Sequence, residues 1–382
     1  MASFSVRGRT VNYPDPQECE IEKNDLVSDN RIVILLNNRC NFNCIYCYSA
    51  MGRVHANPEL SLADIKPGID HICGIQEKKA DGCIKASFYG GGEPFASRKV
   101  LKEAVEYINE RGKYIRRDIK IMTNGSLLKQ EDLDWLKSND VTLVFSFEIL
   151  EDIQMSQRSQ YEVVDRNIRM ADLSGLKYRL WTVITPRNVH RFDEIIGTVK
   201  EKYPHAQRLN IELVVDDECT YELQDEFLKA FFKVRKTASE AGVNILNSRI
   251  GCFELPRKRH CQPEFCITFD GYYTICHTTA SNPDIKDMFN FGKDIEGFVN
   301  NRQGVEKIIR KSSMNNCENC IAKHYCAGGC IYANLTQSNI VVQSICRFIV
   351  NSVKLQILEK EAPELFEEYL NSDQTFDEFA NS

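Results

Sequence analysis

The sequence predicts an α/β protein: a parallel sheet with helical crossovers, curled toward a barrel, followed by a cysteine-rich region of different character. Three observations predict it. Between residues 31 and 245, six apolar strand-like runs alternate with six amphipathic stretches, the β-then-α order that a parallel sheet requires. The alternation stops near Ser248, after which cysteines recur at short fixed spacings. Hydrophobic residues make up 43% of the 382-residue chain, enough for a sizeable buried core.

Residues 1–30 read as an irregular N-terminal extension. Strands are then expected at Ile32–Leu36, Lys85–Tyr89, Asp118–Thr123, Val141–Phe147, Lys177–Thr185 and Gln207–Val215, where β-branched and aromatic residues concentrate. Helices are expected at Leu62–Ile75, Lys99–Arg111, Glu131–Ser138, Val163–Leu173, Phe192–Lys202 and Tyr221–Ala241, each with apolar residues at helical spacing. Residues 31–245 form the barrel region, with functional side chains expected at the C-terminal ends of its strands. Residues 246–350 form a second region, in which Cys266–Cys276 alternates around Asp270-Gly271, a two-residue hairpin signal. A helix is expected over Phe348–Leu358. Residues 351–382 complete that helix and end in an acidic tail around Phe376-Asp377-Glu378-Phe379, expected to be mobile.

Composition excludes several classes. Net charge is −6 with no long basic run, which disfavours nucleic acid. The longest basic stretch, Arg257-Lys258-Arg259-His260, is short enough to be a solvated loop, though its place before Cys261 suits contact with an anionic group. There is no apolar signal segment at the N-terminus and no run of 18 apolar residues, so the protein reads as cytoplasmic, with no membrane partner. Sixteen cysteines gathered at metal-ligand spacings do not resemble a secreted disulfide framework.

The sharpest motif is Cys-Asn-Phe-Asn-Cys-Ile-Tyr-Cys, which places Cys40, Cys44 and Cys47 in a C-x3-C-x2-C spacing with Tyr46 before the third. Iron–sulfur cubanes are usually held by four thiolates, so three leave one iron open to a ligand that is not protein. A zinc knuckle or three unrelated core cysteines are the plain alternatives. The octet, set just after an apolar strand, resembles the signature of the radical S-adenosylmethionine (SAM) superfamily. That resemblance implies an open, partial (β/α)6 barrel whose cluster chelates the amino and carboxylate groups of SAM.

Further along, Cys317, Cys320, Cys326 and Cys330 follow C-x2-C-x5-C-x3-C, preceded by Cys261 and Cys276 and followed by Cys346. A zinc ribbon would use four of these cysteines and leave Cys261, Cys276 and Cys346 unexplained. The full pattern resembles the SPASM extension of one radical-SAM branch, whose known members mostly modify peptides or proteins and carry two auxiliary 4Fe–4S clusters. Two such clusters need eight thiolates, so the eighth must be Cys252 or Cys266 if neither is open. Resemblance to sulfatase maturases favours Cys252, and implies Cys252, Cys261, Cys276 and Cys330 on one cluster with Cys317, Cys320, Cys326 and Cys346 on the other. Cys19, Cys73, Cys83, Cys219 and Cys266 are left as small buried hydrophobes.

Other residues acquire roles from the same resemblance. Gly90-Gly91-Gly92-Glu93-Pro94 resembles the family's SAM-binding loop, implying Gly91, Gly92 and Glu93 as SAM contacts beside Tyr46, although a glycine run alone also marks an ordinary turn. Thr123-Asn124-Gly125 resembles a strand-end turn of this branch, and Asn124 either reaches the barrel mouth or simply forms the turn. Ser146 and Arg158 match a serine and an arginine of a further SAM-contacting motif, whereas Glu148-Ile149 replaces its acidic-glycine pair. His277 stands directly after Cys276 where sulfatase maturases carry a catalytic aspartate, which weakens that match. An imidazole there is a candidate catalytic group or an exposed hairpin histidine.

The resemblance implies three 4Fe–4S clusters, SAM, and a 5′-deoxyadenosyl radical that abstracts hydrogen from a ribosomally made peptide to form a cross-link or oxidised residue. Alternatives are conversion of Cys or Ser to formylglycine in sulfatases, dehydrogenation or dehydration of a small molecule, or a ferredoxin-like electron carrier. Expected partners are a peptide or protein substrate and an electron donor such as ferredoxin or flavodoxin. About 30 residues before the first strand leave no room for a fused leader-peptide module, so a separate recognition protein or the barrel mouth itself is expected to grip the peptide.

Overall fold

Strand order in the chain follows the alternation read from the sequence. The computed structural model describes residues 2–14, 26–49, 58–216, 218–254, 256, 261–312 and 317–382, without the side chains of 252, 254 and 339. The strands are β1 (Ala2–Val6), β2 (Arg9–Tyr13), β3 (Arg31–Ile34), β4 (Cys83–Phe88), β5 (Arg116–Thr123), β6 (Val141–Ser146), β7 (Tyr178–Ile184), β8 (Leu209–Leu213), β9 (Ile245–Leu246), β10 (Phe265–Ile267) and β11 (Tyr273–Thr274). The helices of the first part are α1 (Leu62–Gln76), α2 (Arg98–Arg111), α3 (Gln130–Ser138), α4 (Glu151–Gln157), α5 (Tyr161–Leu173), α6 (Phe192–Lys202) and α7 (Tyr221–Glu240). They are followed by α8 (Lys286–Phe289), α9 (Ile295–Asn300), α10 (Arg302–Lys311), α11 (Ile331–Thr336), α12 (Asn339–Glu361), α13 (Pro363–Leu370) and α14 (Phe376–Asn381).

All six expected strands and six expected helices are present, and α4 is an addition the alternation did not show. Among the described residues, nine strands form one sheet in the order β11-β10-β3-β4-β5-β6-β7-β8-β9. Every pairing in it is parallel except that of β11 on β10. The cysteine-rich region therefore adds its hairpin to the edge of the barrel sheet beside β3.

Strand residues alternate between two faces. Ile32, Ile34, Phe88, Ile121, Phe145, Leu180 and Ile211 are wholly buried on one face, against helices such as α1, which packs on β3 and β4. The opposite face is polar and only partly covered: Arg31, Lys85, Asp118, Lys120, Met122, Arg179 and Trp181 all retain exposure. A fully packed barrel would fill that face with aliphatic side chains.

Three expectations need correction. The first 30 residues are not wholly irregular, because β1 and β2 form an antiparallel hairpin. Its two-residue turn, Arg7-Gly8, has positive φ at both positions (49° and 69°), as a type I′ turn requires. Alternating Phe4, Val6, Val11 and Tyr13 were the signal for it, but arginine is an unusual first turn residue. Second, the turn between β10 and β11 has three residues, not two. Cys266 pairs with Thr274 and Ile267 with Tyr273, leaving Phe269-Asp270-Gly271 as the loop, with Gly271 at φ 84°.

Third, the acidic tail is a docked helix. Thr375 and Glu378 form a capping box at the start of α14, and Phe376 and Phe379 are buried. Asp225 on α7 accepts hydrogen bonds from the Tyr369 hydroxyl and the Phe376 amide, both at 2.8 Å. The amide of Arg7 donates to Ala380 at 2.8 Å, so the tail also closes on the β1–β2 hairpin. Among the described residues one helix, Ile340–Glu361 within α12, is long and apolar enough to cross a membrane. It packs on α7, α13 and β2, burying Val353, Leu355, Ile357 and Leu358.

Docking of the tail predicts that Phe376→Ala lowers stability by about 3–5 kcal/mol, the usual cost of removing a buried phenyl ring. Urea unfolding of the metal-free protein measures it; a change within about 0.5 kcal/mol would show that the tail carries no packing.

Candidate active site at the strand ends

After β3 the chain turns across the sheet's C-terminal edge, where Cys40, Cys44 and Cys47 are half-buried. Burial pushes the Cys44 thiol up, the guanidinium of Arg158 opposes this, and Cys47 and Cys40 lie close enough to add to the rise. The glycine loop after β4 is bonded to the residues just before Cys40. The Gly92 amide donates to the Asn37 carbonyl at 2.8 Å, and the Glu93 amide to the Arg39 carbonyl at 2.7 Å. A Cβ on Gly91 would stand 2.4 Å from the Asn37 oxygen, and one on Gly92 2.0 Å from the Arg39 oxygen. These glycines are thus required by contact with the cysteine loop itself, a reason the sequence did not reveal.

Glu93 is buried, and its carboxylate accepts from the Phe95 amide (3.1 Å), the Thr123 hydroxyl (2.7 Å) and the Asn124 amide (2.8 Å). It ties the end of β4 to the end of β5. Burial raises its carboxyl, with the hydrogen bonds from Asn124 and Thr123 opposing. Asn124 does more than form a turn: its Oδ1 accepts from the Ser126 amide at 2.9 Å, while Nδ2 points at Asn41 (3.0 Å) and the Cys40 sulfur (3.9 Å).

Ser146 and Arg158 meet across the end of β6. Arg158 Nη1 donates to Ser146 Oγ at 2.8 Å and to the Tyr46 hydroxyl at 3.3 Å. Glu148, fully buried, accepts from Tyr46, from the Thr182 hydroxyl at 2.8 Å and from the Val183 amide at 2.9 Å. The Glu148–Arg158 ion pair spans 3.8 Å. Arg158 Nε is buried without a hydrogen-bond partner, leaving a guanidinium edge for an anionic group. Ile149 occupies the glycine position of the resembled motif and takes φ 62°, an outlier for a β-branched residue. Gln154 holds that strained segment, accepting from the Glu148 amide (3.0 Å) and donating to the Ser159 carbonyl (2.8 Å).

His277 is not a free hairpin histidine. Its Nδ1 lies 2.6 Å from Glu264 Oε2, and its amide donates to the same oxygen at 3.2 Å. The carboxylate is acceptor-only, so Nδ1 carries the proton in this pair. Glu264 also accepts from the Tyr89 hydroxyl (3.2 Å) and faces Arg31 at 3.5 Å. The Tyr89 ring meets the imidazole edge-on, with centroids 4.6 Å apart. Burial alone would raise the Glu264 carboxyl, but His277 and then Arg31 outweigh it and hold it at about 2.

Of the remaining motif cysteines, Cys261, Cys276 and Cys330 come near one another, as do Cys317, Cys320 and Cys346. Cys261 bonds Cys330 and lies within electrostatic reach of Cys276. Cys330 is drawn down by Cys261 and by the first amides of α11, and Cys261 is pushed up in return. Cys346 lies within reach of Cys317 and Cys320. The Cys326 sulfur stands 3.8 Å from where a Cβ on Gly329 would be. Cys252 falls in a 3-10 turn, Ile250–Glu254, but its side chain lies outside the described residues, as do Cys19 and the basic stretch 257–260. Cys73 and Cys266 are buried as expected, whereas Cys83 and Cys219 are only half-buried. Among the described residues no three His, Cys, Asp or Glu side chains converge as the ligands of a single ion do.

The model of the Radical SAM superfamily matches residues 34–199, the span from the cysteine loop through α6. The chain carries a radical SAM domain. Its overall fold is similar to that of anSMEcpe with bound AdoMet (TM-score 0.69, 17% identity, 86% of this chain and 98% of that one). It is also similar to SuiB of Streptococcus suis bound to precursor peptide SuiA (TM-score 0.58, 17% identity, 81% and 73%). A probable GTP 3′,8-cyclase of Methanothermobacter thermautotrophicus is 43% identical over 91 residues, 24% of this chain and 26% of that protein. The chain spans from about a quarter to three-fifths of the length of the first curated relatives it matches.

Glu148 as a supporting group, and Gln154, Tyr89, Arg31 and Glu264, carried no signal in the sequence. Glu264 is set opposite Cys276, next to His277, by the three-residue hairpin register, which the sequence did not signal. Because its carboxyl is held below the ordinary range of about 4.3, its stabilising effect is present above that range and lost as pH falls toward 2. The loss, up to about 3 kcal/mol, should be smaller in Glu264→Gln. Urea unfolding of metal-free protein between pH 5 and 3 reads the difference, and identical pH slopes would contradict the assignment.

Proposed function

We propose that the protein is a radical SAM peptide maturase that forms a cross-link or an oxidised residue in a ribosomally made peptide, acting in the cytoplasm with ferredoxin or flavodoxin as electron donor. The observation that carries this reading is the meeting, at one edge of a radical SAM domain, of the Cys40–Cys47 loop with Glu93, Asn124 and the Tyr46–Ser146–Arg158 group. Two structural neighbours support the peptide: SuiB is bound to precursor peptide SuiA, and anSMEcpe to AdoMet with the Kp18Cys peptide.

The donor set fits the cofactors. Cys40, Cys44 and Cys47 would hold one 4Fe–4S cluster. Cys252, Cys261, Cys276 and Cys330 would hold a second, and Cys317, Cys320, Cys326 and Cys346 a third. Arg158, Ser146, Asn124, Glu93 and the backbone of Gly91 and Gly92 would hold SAM, the unpartnered Nε of Arg158 suiting its carboxylate. When bound, the cluster and SAM would supply one-electron radical chemistry able to remove a hydrogen atom from carbon. Glu148 keeps Arg158 aimed and its charge compensated. Glu264 fixes His277 with Nδ1 protonated, which leaves Nε2 to take a proton from the substrate.

Anaerobic reconstitution should give about 12 iron per chain, four for each cubane. Replacing Cys40, Cys44 and Cys47 by Ala should lower this to about eight and abolish 5′-deoxyadenosine formation. His277→Ala should slow peptide product while leaving uncoupled SAM cleavage largely intact. A zinc-loaded protein with little iron would sink the proposal. Efficient formylglycine formation from a sulfatase peptide would instead make it a sulfatase maturase.

A further inference from the structure

Five cationic side chains share the partly open face of the sheet: Arg31 on β3, Lys85 on β4, Lys120 on β5, Arg179 on β7, and Arg208 at the start of β8. Register sets Arg31 beside Lys85 and Arg179 beside Arg208, with Lys120 between the two pairs. Arg31 pairs with Lys85, and Lys85 with Asp118. Lys120, two residues on, pairs with Thr142; Val144 pairs with Arg179. Because Leu180 pairs with Leu209, Arg208 stands beside Arg179. Alternation along each strand then sends all of them to one face.

The negative charge on that face is already engaged. Asp118 is bound to Lys120 at 2.5 Å, Glu264 to His277 and Arg31, and Glu212 on β8 to Ser248 and Asn247. Lys85, Arg179 and Arg208 make no side-chain hydrogen bond or ion pair to any described residue, and Arg179 Nε is buried without a partner. Burial and then neighbouring Arg208 lower the Arg179 guanidinium, and the carboxylate of Asp118 opposes them only in part. Ordinary surfaces intersperse the two signs, and like charges side by side on adjacent strands repel. Two residues above Arg179, Trp181 pairs with Ser146. At about 3.3 Å per strand residue, the patch begins roughly 7 Å below the Ser146–Arg158 pair.

We propose that this patch receives a carboxylate-bearing segment of the substrate, so that the enzyme selects a peptide with Asp or Glu two or three residues from the modified position. The inference rests on the peptide-maturase reading. An extended residue spans about 3.3–3.6 Å, which sets that separation. Lys85, exposed at the open end, would meet the peptide first, and Arg179 would hold the acidic side chain nearest the reacting carbon.

The test is the anisotropy of a dye-labelled ten-residue peptide carrying four aspartates, titrated with the reconstituted full chain and SAM, against the same peptide with asparagines. The aspartate peptide should bind at least tenfold tighter, with the advantage shrinking as salt is raised. In Lys85→Gln/Arg179→Gln the advantage should fall below twofold. Because Arg179 is half-buried, Lys85→Glu at an exposed position serves as a second variant. It should weaken the aspartate peptide and strengthen a lysine counterpart. Equal affinities in the wild type, or an advantage that survives both variants, would overturn the proposal. An acidic peptide that binds selectively but is never modified would count against the maturase reading alone. A peptide modified regardless of its charge would count against this inference alone.

Discussion

Backbone contact between two strand-end loops is the constraint on which the site depends. Asn37–Arg39, leading into Cys40, presents carbonyl oxygens to the amides of Gly92 and Glu93, and the closeness of that approach excludes any side chain at Gly91 or Gly92. The position of the cysteine loop is therefore set by β4 rather than by its own sequence. Glu93 carries the same constraint on to β5 through Thr123 and Asn124, and Asn124 returns it to Cys40. Three consecutive strand ends thus behave as one unit, and the longest side chain among the links, Glu93, is fixed by three hydrogen bonds.

Around that unit the mouth is organised by buried charges held in pairs. Glu148 with Arg158 and Glu264 with His277 and Arg31 each place a carboxylate where burial alone would favour its neutral form. Removing one member of such a pair leaves the other uncompensated in a low-dielectric setting. Each pair also leaves something over: a guanidinium edge on Arg158 and Nε2 on His277. The strained backbone at Ile149 is the cost of turning Glu148 inward, and Gln154 holds it in place.

Most of the barrel was legible because hydrophobic periodicity reports burial directly, and β3 to β8 with their helices are buried on one face. Motif spacing likewise singled out the Cys40–Cys47 loop, and the structure sets that loop at the strand ends against Gly92, Glu93 and Asn124. What escaped depends on contacts between distant segments. Glu264 meets His277 only through the β10–β11 register, and a two-residue turn was assumed where three residues form the loop. Phe376 and Phe379 were obscured by the acids between them, although Thr375 and Glu378 spelled a capping box. The β1–β2 hairpin was hidden by a turn built on arginine. The glycines of Gly91-Gly92 were read as room for a ligand, when the nearest neighbour they make room for is the chain itself.

Contact between Gly92 and the cysteine loop is most directly measured in the cluster itself. In Gly92→Ala, reconstituted anaerobically and reduced, the electron paramagnetic resonance signal of the three-cysteine cluster is recorded before and after SAM is added. If the glycine is a contact point for the cysteine loop, the added Cβ displaces Arg39 and Cys40, and the cluster signal and its response to SAM are lost together. A full-strength cluster signal that merely fails to respond to SAM would contradict the account and return the glycine to a purely ligand-binding role.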